Sequence, residues 1–151
     1  MRIVGLDLGR RRIGVALSDV SGTLATPWRT IDGRGGLAEV ASRLVATLGE
    51  LAESEDGVAG IVVGLPSHLD GRPHEGAIWV REVAEAVRGA TGLPVALYDE
   101  RLSSVEAEQR LAVGERDWRK RKARLDAAAA AVFLQDYLDA RPRDAADRGQ
   151  A

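Results

Sequence analysis

Three acidic residues stand where the apolar pattern of the chain breaks. Asp7 follows Ile3-Val4-Gly5-Leu6, Glu100 follows Leu97-Tyr98-Asp99, and Asp126 opens the run Ala127 to Ala131. A carboxylate at the end of a buried strand, or at the mouth of a buried helix, adds little to packing. Three that meet in space could hold Mg²⁺ or Mn²⁺, because hard cations take oxygen ligands and share their coordination with water and substrate phosphate. Each residue also has an ordinary use: Asp7 can cap a turn, and Asp126 can complement a helix dipole. The middle position is ambiguous. Asp99 and Glu100 are adjacent, and strand alternation lets only one of them reach a given site. Spacing does not choose between them.

Basic residues flank two of the three acids. Arg10, Arg11 and Arg12 come directly after Asp7-Leu8-Gly9. Between residues 116 and 124, six basic residues, among them Arg119, Arg121 and Lys122, face one acid. The net charge is only −2, so it does not announce a nucleic-acid binder. Local basic clusters beside candidate metal ligands nevertheless suit a polyanionic substrate, held by backbone contacts without base readout. Trp118, inside the second cluster, could stack on a base, although Trp more often packs.

The elements that must position these residues follow from periodicity. Arg2 to Leu8 is apolar on both faces and predicts a central strand. After a polar turn at Gly9 to Arg12, Ile13 to Leu17 predicts a second strand in an antiparallel hairpin. Thr23 to Ile31 supplies a third, with Pro27 indicating an edge or a bulge. Leu37, Val40, Ala41, Leu44, Leu48 and Leu51 keep helical spacing, predicting an amphipathic helix over 36–53. Val58 to Val63 is a buried strand, followed by a Gly- and Pro-containing loop. Trp79, Val80, Val83, Ala84 and Val87 mark a second helix, stopped by Gly92 and Pro94. A fifth strand runs over 95–99. Ser103-Ser104-Val105-Glu106 fits a capping box for a helix to about Ala112, which makes Ser103 a cap and not a nucleophile. Gly114 to Arg121 reads as a basic connector. A final Ala-rich helix beginning near Asp126 can pack close to a sheet, and 141–151 reads as a flexible tail.

The expectation is therefore an α/β fold: a mixed five-stranded sheet whose first three strands form a meander, with helices on both faces. At 151 residues, residues 1–140 make one domain with a proper core. The chain has no Cys, which excludes disulfides and thiolate zinc sites. Its first apolar run is too short for a signal peptide or a membrane span, so a cytoplasmic protein with no membrane partner is expected.

Four motifs, in order, resemble the YqgF/RuvX family: Asp7-Leu8-Gly9 with Arg12-Ile13-Gly14-Val15-Ala16; Gly64-Leu65-Pro66; Asp99-Glu100-Arg101-Leu102-Ser103; and Asp126-Ala127-Ala128-Ala129-Ala130. The resemblance covers about residues 2–139. It implies an RNase H-like nuclease, connected in the family with pre-16S rRNA processing and with Holliday-junction resolution. It also implies that Asp7, Glu100 and Asp126 are the catalytic, metal-binding carboxylates, which chooses Glu100 over Asp99. The expected activity is a two-metal-ion, Mg²⁺- or Mn²⁺-dependent endonuclease on structured nucleic acid, with Arg10, Arg11, Arg12, Arg119, Arg121 and Lys122 on the substrate backbone. One departure stands out: many members carry Asn after Gly-Leu-Pro, where this chain has Ser67-His68.

Two other functions are weaker. Asp-x-Gly on a first hairpin also resembles the phosphate loop of actin-like and sugar-kinase domains, but those enclose nucleotide between two lobes and this length supplies one. A non-catalytic RNA-binding assembly factor has little use for clustered carboxylates, which repel one another unless a cation neutralises them. A monomer would suit RNA processing. A twofold homodimer would suit symmetric cleavage of a four-way junction.

Overall fold

The computed structural model describes residues 1–65, 75–99 and 118–141. The predicted helix over 103–112, the loop with Ser67-His68, Glu100 and residues 142–151 lie outside the described residues. Within them the order is β1 (Arg2–Leu8), β2 (Arg12–Ser18), β3 (Ala25–Asp32), α1 (Leu37–Ala52), β4 (Val58–Leu65), α2 (Glu75–Thr91), β5 (Val95–Asp99) and α3 (Trp118–Ala140). The strands form one sheet in the order β3-β2-β1-β4-β5. β1 is central, antiparallel to β2 and parallel to β4, and β4 is parallel to β5. This is the mixed sheet with an opening meander that the sequence predicts. β3 forms one edge, and its register with β2 slips beside Pro27, so the expected edge and bulge both occur.

Alternation along the strands divides the core in two. Val4, Leu6, Leu8, Ile13 and Val15 face one side, where they pack with Val40, Leu44 and Leu48 of α1 and with Trp79, Val80 and Val83 of α2. Ile3, Ala16 and Val62 face the other, where they meet Ala130, Phe133, Leu134 and Leu138 of α3. α1 buries Val40, Leu44, Thr47, Leu48 and Leu51, the stripe that its periodicity foretells. α2 ends where Gly92 adopts φ +72° and donates its N–H to the Arg88 carbonyl at 2.9 Å, a left-handed glycine stop with Pro94 two residues on.

One boundary differs from expectation. α3 begins at Trp118, so part of the predicted basic connector is helical and Asp126 lies more than two turns inside the helix. Arg, Lys, Ala and Leu are good helix formers, and no Gly or Pro interrupts 118–125, so polarity alone does not end the helix there.

Candidate functional site

The site is built where α3 crosses the β1–β2 hairpin. Gly14 on β2 stands opposite Asp7 on β1, and opposed residues of an antiparallel pair project to the same face. That face is shown by what a Cβ at Gly14 would meet: the Asp126 carbonyl oxygen at 2.0 Å and its carbonyl carbon at 2.2 Å. Two residues back along β1, a Cβ at Gly5 would lie 3.0 Å from Leu134 Cβ and 3.2 Å from the Ala130 oxygen. α3 thus runs antiparallel to β1, with Leu134 and Ala130 over Gly5 and Asp126 over the level of Asp7. An isolated glycine in a strand often marks close backbone approach, and that signal could have singled out Gly14 from the sequence.

The chain therefore brings two of the three predicted carboxylates, Asp7 and Asp126, to one face and one end of the sheet. Both are partly buried. The helix-dipole explanation for Asp126 fails, because that effect fades beyond the first turn. Its charge is met by Arg12, whose Nε lies 3.1 Å from Asp126 Oδ2, with the two side chains 30% and 27% exposed. Oδ2 itself is shielded from solvent, and this contact lacks hydrogen-bond alignment, so it is an ion pair of charge alone.

Asp99 goes the other way. Tyr98 packs on the α3 side, its ring stacked with Phe133 at 6.5 Å between centroids, whereas Val95 packs against the α1/α2 core. By alternation Asp99 shares the side of Val95, away from Asp7, and it is exposed. β1, β4 and β5 are parallel, so Asp99 ends its strand at the same sheet edge as Asp7. Glu100 itself lies outside the described residues, and among those described no group of three His, Asp or Glu forms a metal cluster.

The first basic cluster is split by its turn. Arg12 points to Asp126, whereas the Arg10 guanidinium lies 4.7 Å from the ring centre of Trp79 on the α1/α2 side. Arg10 and Trp79 line a cavity of about 410 Å³ with Gly35, Gly36, Leu37, Ile78 and Glu82. Arg11 is exposed. The side chains of Arg119, Arg121 and Lys122, and that of Trp118, lie outside the described residues.

Two carboxylates share one face and one end of the sheet, set there by a helix that only a glycine admits, and carboxylate oxygen is the ligand type that a hard divalent cation takes. No described helix is long and apolar enough to cross a membrane. Comparison with known proteins agrees with the architecture. Residues 1–140 match the family model described as "RuvX: Holliday junction resolvase". A protein of Anaeromyxobacter sp. (strain Fw109-5), named "Putative pre-16S rRNA nuclease", is 48% identical over 93% of this chain and 98% of its own length. A relative of the same name from Acidiphilium cryptum (strain JF-5) is 45% identical over 91% of this chain and 84% of its own. Among solved structures, Thermus thermophilus RuvC superposes with a TM-score of 0.52 at 18% identity, covering 92% of this chain and 97% of that one, a likeness of fold. The chain belongs to the RuvX family of nucleases and has its RNase H-like fold.

Proposed function

We propose that this chain is a divalent-metal-dependent endonuclease that trims the 5′ end of pre-16S rRNA, with Asp7, Glu100 and Asp126 as its catalytic carboxylates. The observation that carries the reading is the convergence of Asp7 and Asp126 on the α3 face above Gly14. The curated relatives above 40% identity, named for pre-16S rRNA, favour RNA. The three carboxylates would hold Mg²⁺ or Mn²⁺, which when bound favour attack by water and offset charge on the leaving oxygen. Asp7 stands on the central strand of the sheet. Asp126 approaches from a helix anchored by Ala130 and Leu134. Arg11 and Arg12, with Arg10 around the turn and Arg119, Arg121 and Lys122 leading into Asp126, contribute positive charge for the phosphodiester backbone. On this reading residues 1–140 act as one nuclease domain, in the cytoplasm.

A second reading, cleavage of four-way DNA junctions, is favoured by the description of the matching family. One panel separates the two. A pre-16S 5′ segment, a single-stranded RNA and a four-way junction are incubated with Mg²⁺ or Mn²⁺, using the wild type and Asp7→Asn. Cleavage of the rRNA segment alone, lost in Asp7→Asn while thermal unfolding stays unchanged, is the expected result. Preferential cutting of the junction by a twofold dimer would replace RNA with DNA as the substrate. Full activity in Asp7→Asn would remove the carboxylate mechanism.

A further inference from the structure

The Arg12–Asp126 pair carries an inference about how the site is loaded, and it rests on the metal-site reading above. Arg12 leaves the first residue of β2 on the face of Gly14 and Ala16, so its guanidinium lies over the α3 side of the sheet. There it meets the very carboxylate that the reading assigns to a cation. Nε is 3.1 Å from an Asp126 oxygen that solvent does not reach. A divalent cation and a guanidinium cannot both stand close to one carboxylate oxygen without strong mutual repulsion. The contact is undirected, and both side chains remain about 30% exposed, so releasing it breaks no aligned hydrogen bond and leaves Arg12 free to swing into water.

We infer that Arg12 is a positioning residue that neutralises Asp126 while the site is empty of cation, is displaced when the cation binds, and then carries its charge to the scissile phosphodiester. The guanidinium holds the Asp126 carboxylate by charge before loading. A planar fork of donors beside the carboxylates is matched to phosphate oxygens once released. Metal binding and phosphate binding are thereby coupled through one side chain, and the cation gains its full advantage only when substrate gives Arg12 a new partner.

The test is a calorimetric titration of nucleic-acid-free protein with Mn²⁺, comparing wild type, Arg12→Gln, Arg12→Lys and Asp126→Asn. Arg12→Gln should bind Mn²⁺ roughly two- to tenfold more tightly than wild type, since a competing exposed cation is removed. Arg12→Lys should stay near wild type, and Asp126→Asn should weaken binding at least about tenfold, as loss of a carboxylate ligand requires. At saturating Mn²⁺, with binding of a pre-16S 5′ RNA segment read before cleavage proceeds, Arg12→Gln should also bind RNA more weakly, with the salt slope reduced by about one. Unchanged or weaker Mn²⁺ affinity in Arg12→Gln, alongside the loss in Asp126→Asn, overturns the role of Arg12 and leaves the metal site standing. Unchanged affinity in Asp126→Asn overturns the metal-site reading itself. A measurement without mutation guards against a misfolded variant: the Arg12 Nε–H resonance of the wild type should shift on saturation with Mg²⁺. A resonance that stays in place overturns the displacement.

Discussion

The two faces of the sheet are packed by opposite means. Against α1 and α2 the strands present Val4, Leu6, Leu8, Ile13 and Val15, and the gap is filled by Leu44, Val83 and Trp79. Against α3 they present Gly5, Gly14 and Ala16, and the helix answers with Ala127, Ala130 and Ala131 beside Phe133 and Leu134. Large side chains bury much area but leave the helices at ordinary distance, and such a layer tolerates small shifts. Missing side chains bury less and bring backbone against backbone, so the helix can sit in only one place. The first face supplies stability, and the second fixes where Asp126 stands relative to Asp7.

That contrast can be broken first on the thick side. Leu44 is fully buried in the α1/α2 core, and Leu44→Ala should cost about 2–5 kcal/mol by thermal or denaturant unfolding. Because Leu44 touches neither candidate carboxylate, cleavage per folded molecule should stay within about threefold of wild type, the range of a mutation felt only through packing. A loss of cleavage out of proportion to the unfolded fraction would show that both faces set the site. On the thin side, Gly14→Ala places a methyl 2.0 Å from the Asp126 carbonyl oxygen, a backbone atom that cannot rotate away. Overpacking of this kind costs about 1–3 kcal/mol, less than the Leu44 cavity. Yet α3 must lift where it carries Asp126, so activity should fall at least about tenfold in molecules that remain folded. Equal activity losses in the two variants would erase the division of labour.

The sequence revealed most of the thick face and only part of the thin one. The stripe Val40, Leu44, Leu48, Leu51 repeats at helical spacing, and β1 to β3 announce a meander through two short turns, because large apolar side chains write their periodicity into the sequence. α3 is harder to read. Its Ala-rich segment signals close packing, but its first two turns are charged and carry no apolar period, so periodicity sets the helix start too late and makes Asp126 look like a terminal residue. Strand alternation said that only one of Asp99 and Glu100 could face Asp7. It took the stacking of Tyr98 on Phe133 to exclude Asp99 from that face. Arg10 and Arg12 read as one basic cluster, yet a tight turn sends one to Trp79 and the other to Asp126. Which way a turn splits neighbouring side chains depends on partners far away in the chain.

Smaller perturbations sharpen the comparison at the rim, where α3 also holds the meander by polar contacts. Gln135 accepts the Ala25 N–H through Oε1 at 2.9 Å and donates from Nε2 to the Thr23 carbonyl at 2.8 Å, tying the helix to the start of β3. Gln135→Ala should cost about 1 kcal/mol, the usual net worth of partly exposed hydrogen bonds, read as a fall in unfolding midpoint. If the thin face is fixed chiefly by Gly5 and Gly14, activity should survive this change. A large activity loss would instead make the polar tie part of the positioning device.

The smallest effect belongs to the turn that Gln135 braces. Asp19 Oδ1 accepts the N–H groups of Thr23 and Leu24, and Oδ2 accepts the Ser21 hydroxyl. These bonds, that from Leu24 foremost, lower its pKa from 3.8 to about 2. A carboxyl depressed in the folded state stabilises the fold above its unfolded pKa, so the contribution is complete above about pH 4 and lost as pH falls toward 2. The side chain is exposed, and solvent screening holds the gain to about 1 kcal/mol or less. Asp19→Asn should therefore be less stable than wild type at neutral pH, with the difference shrinking as pH falls from 4 to 2. A difference independent of pH across that window would mean that the bonds matter and the charge does not, leaving the meander held by geometry alone, as the thin face is.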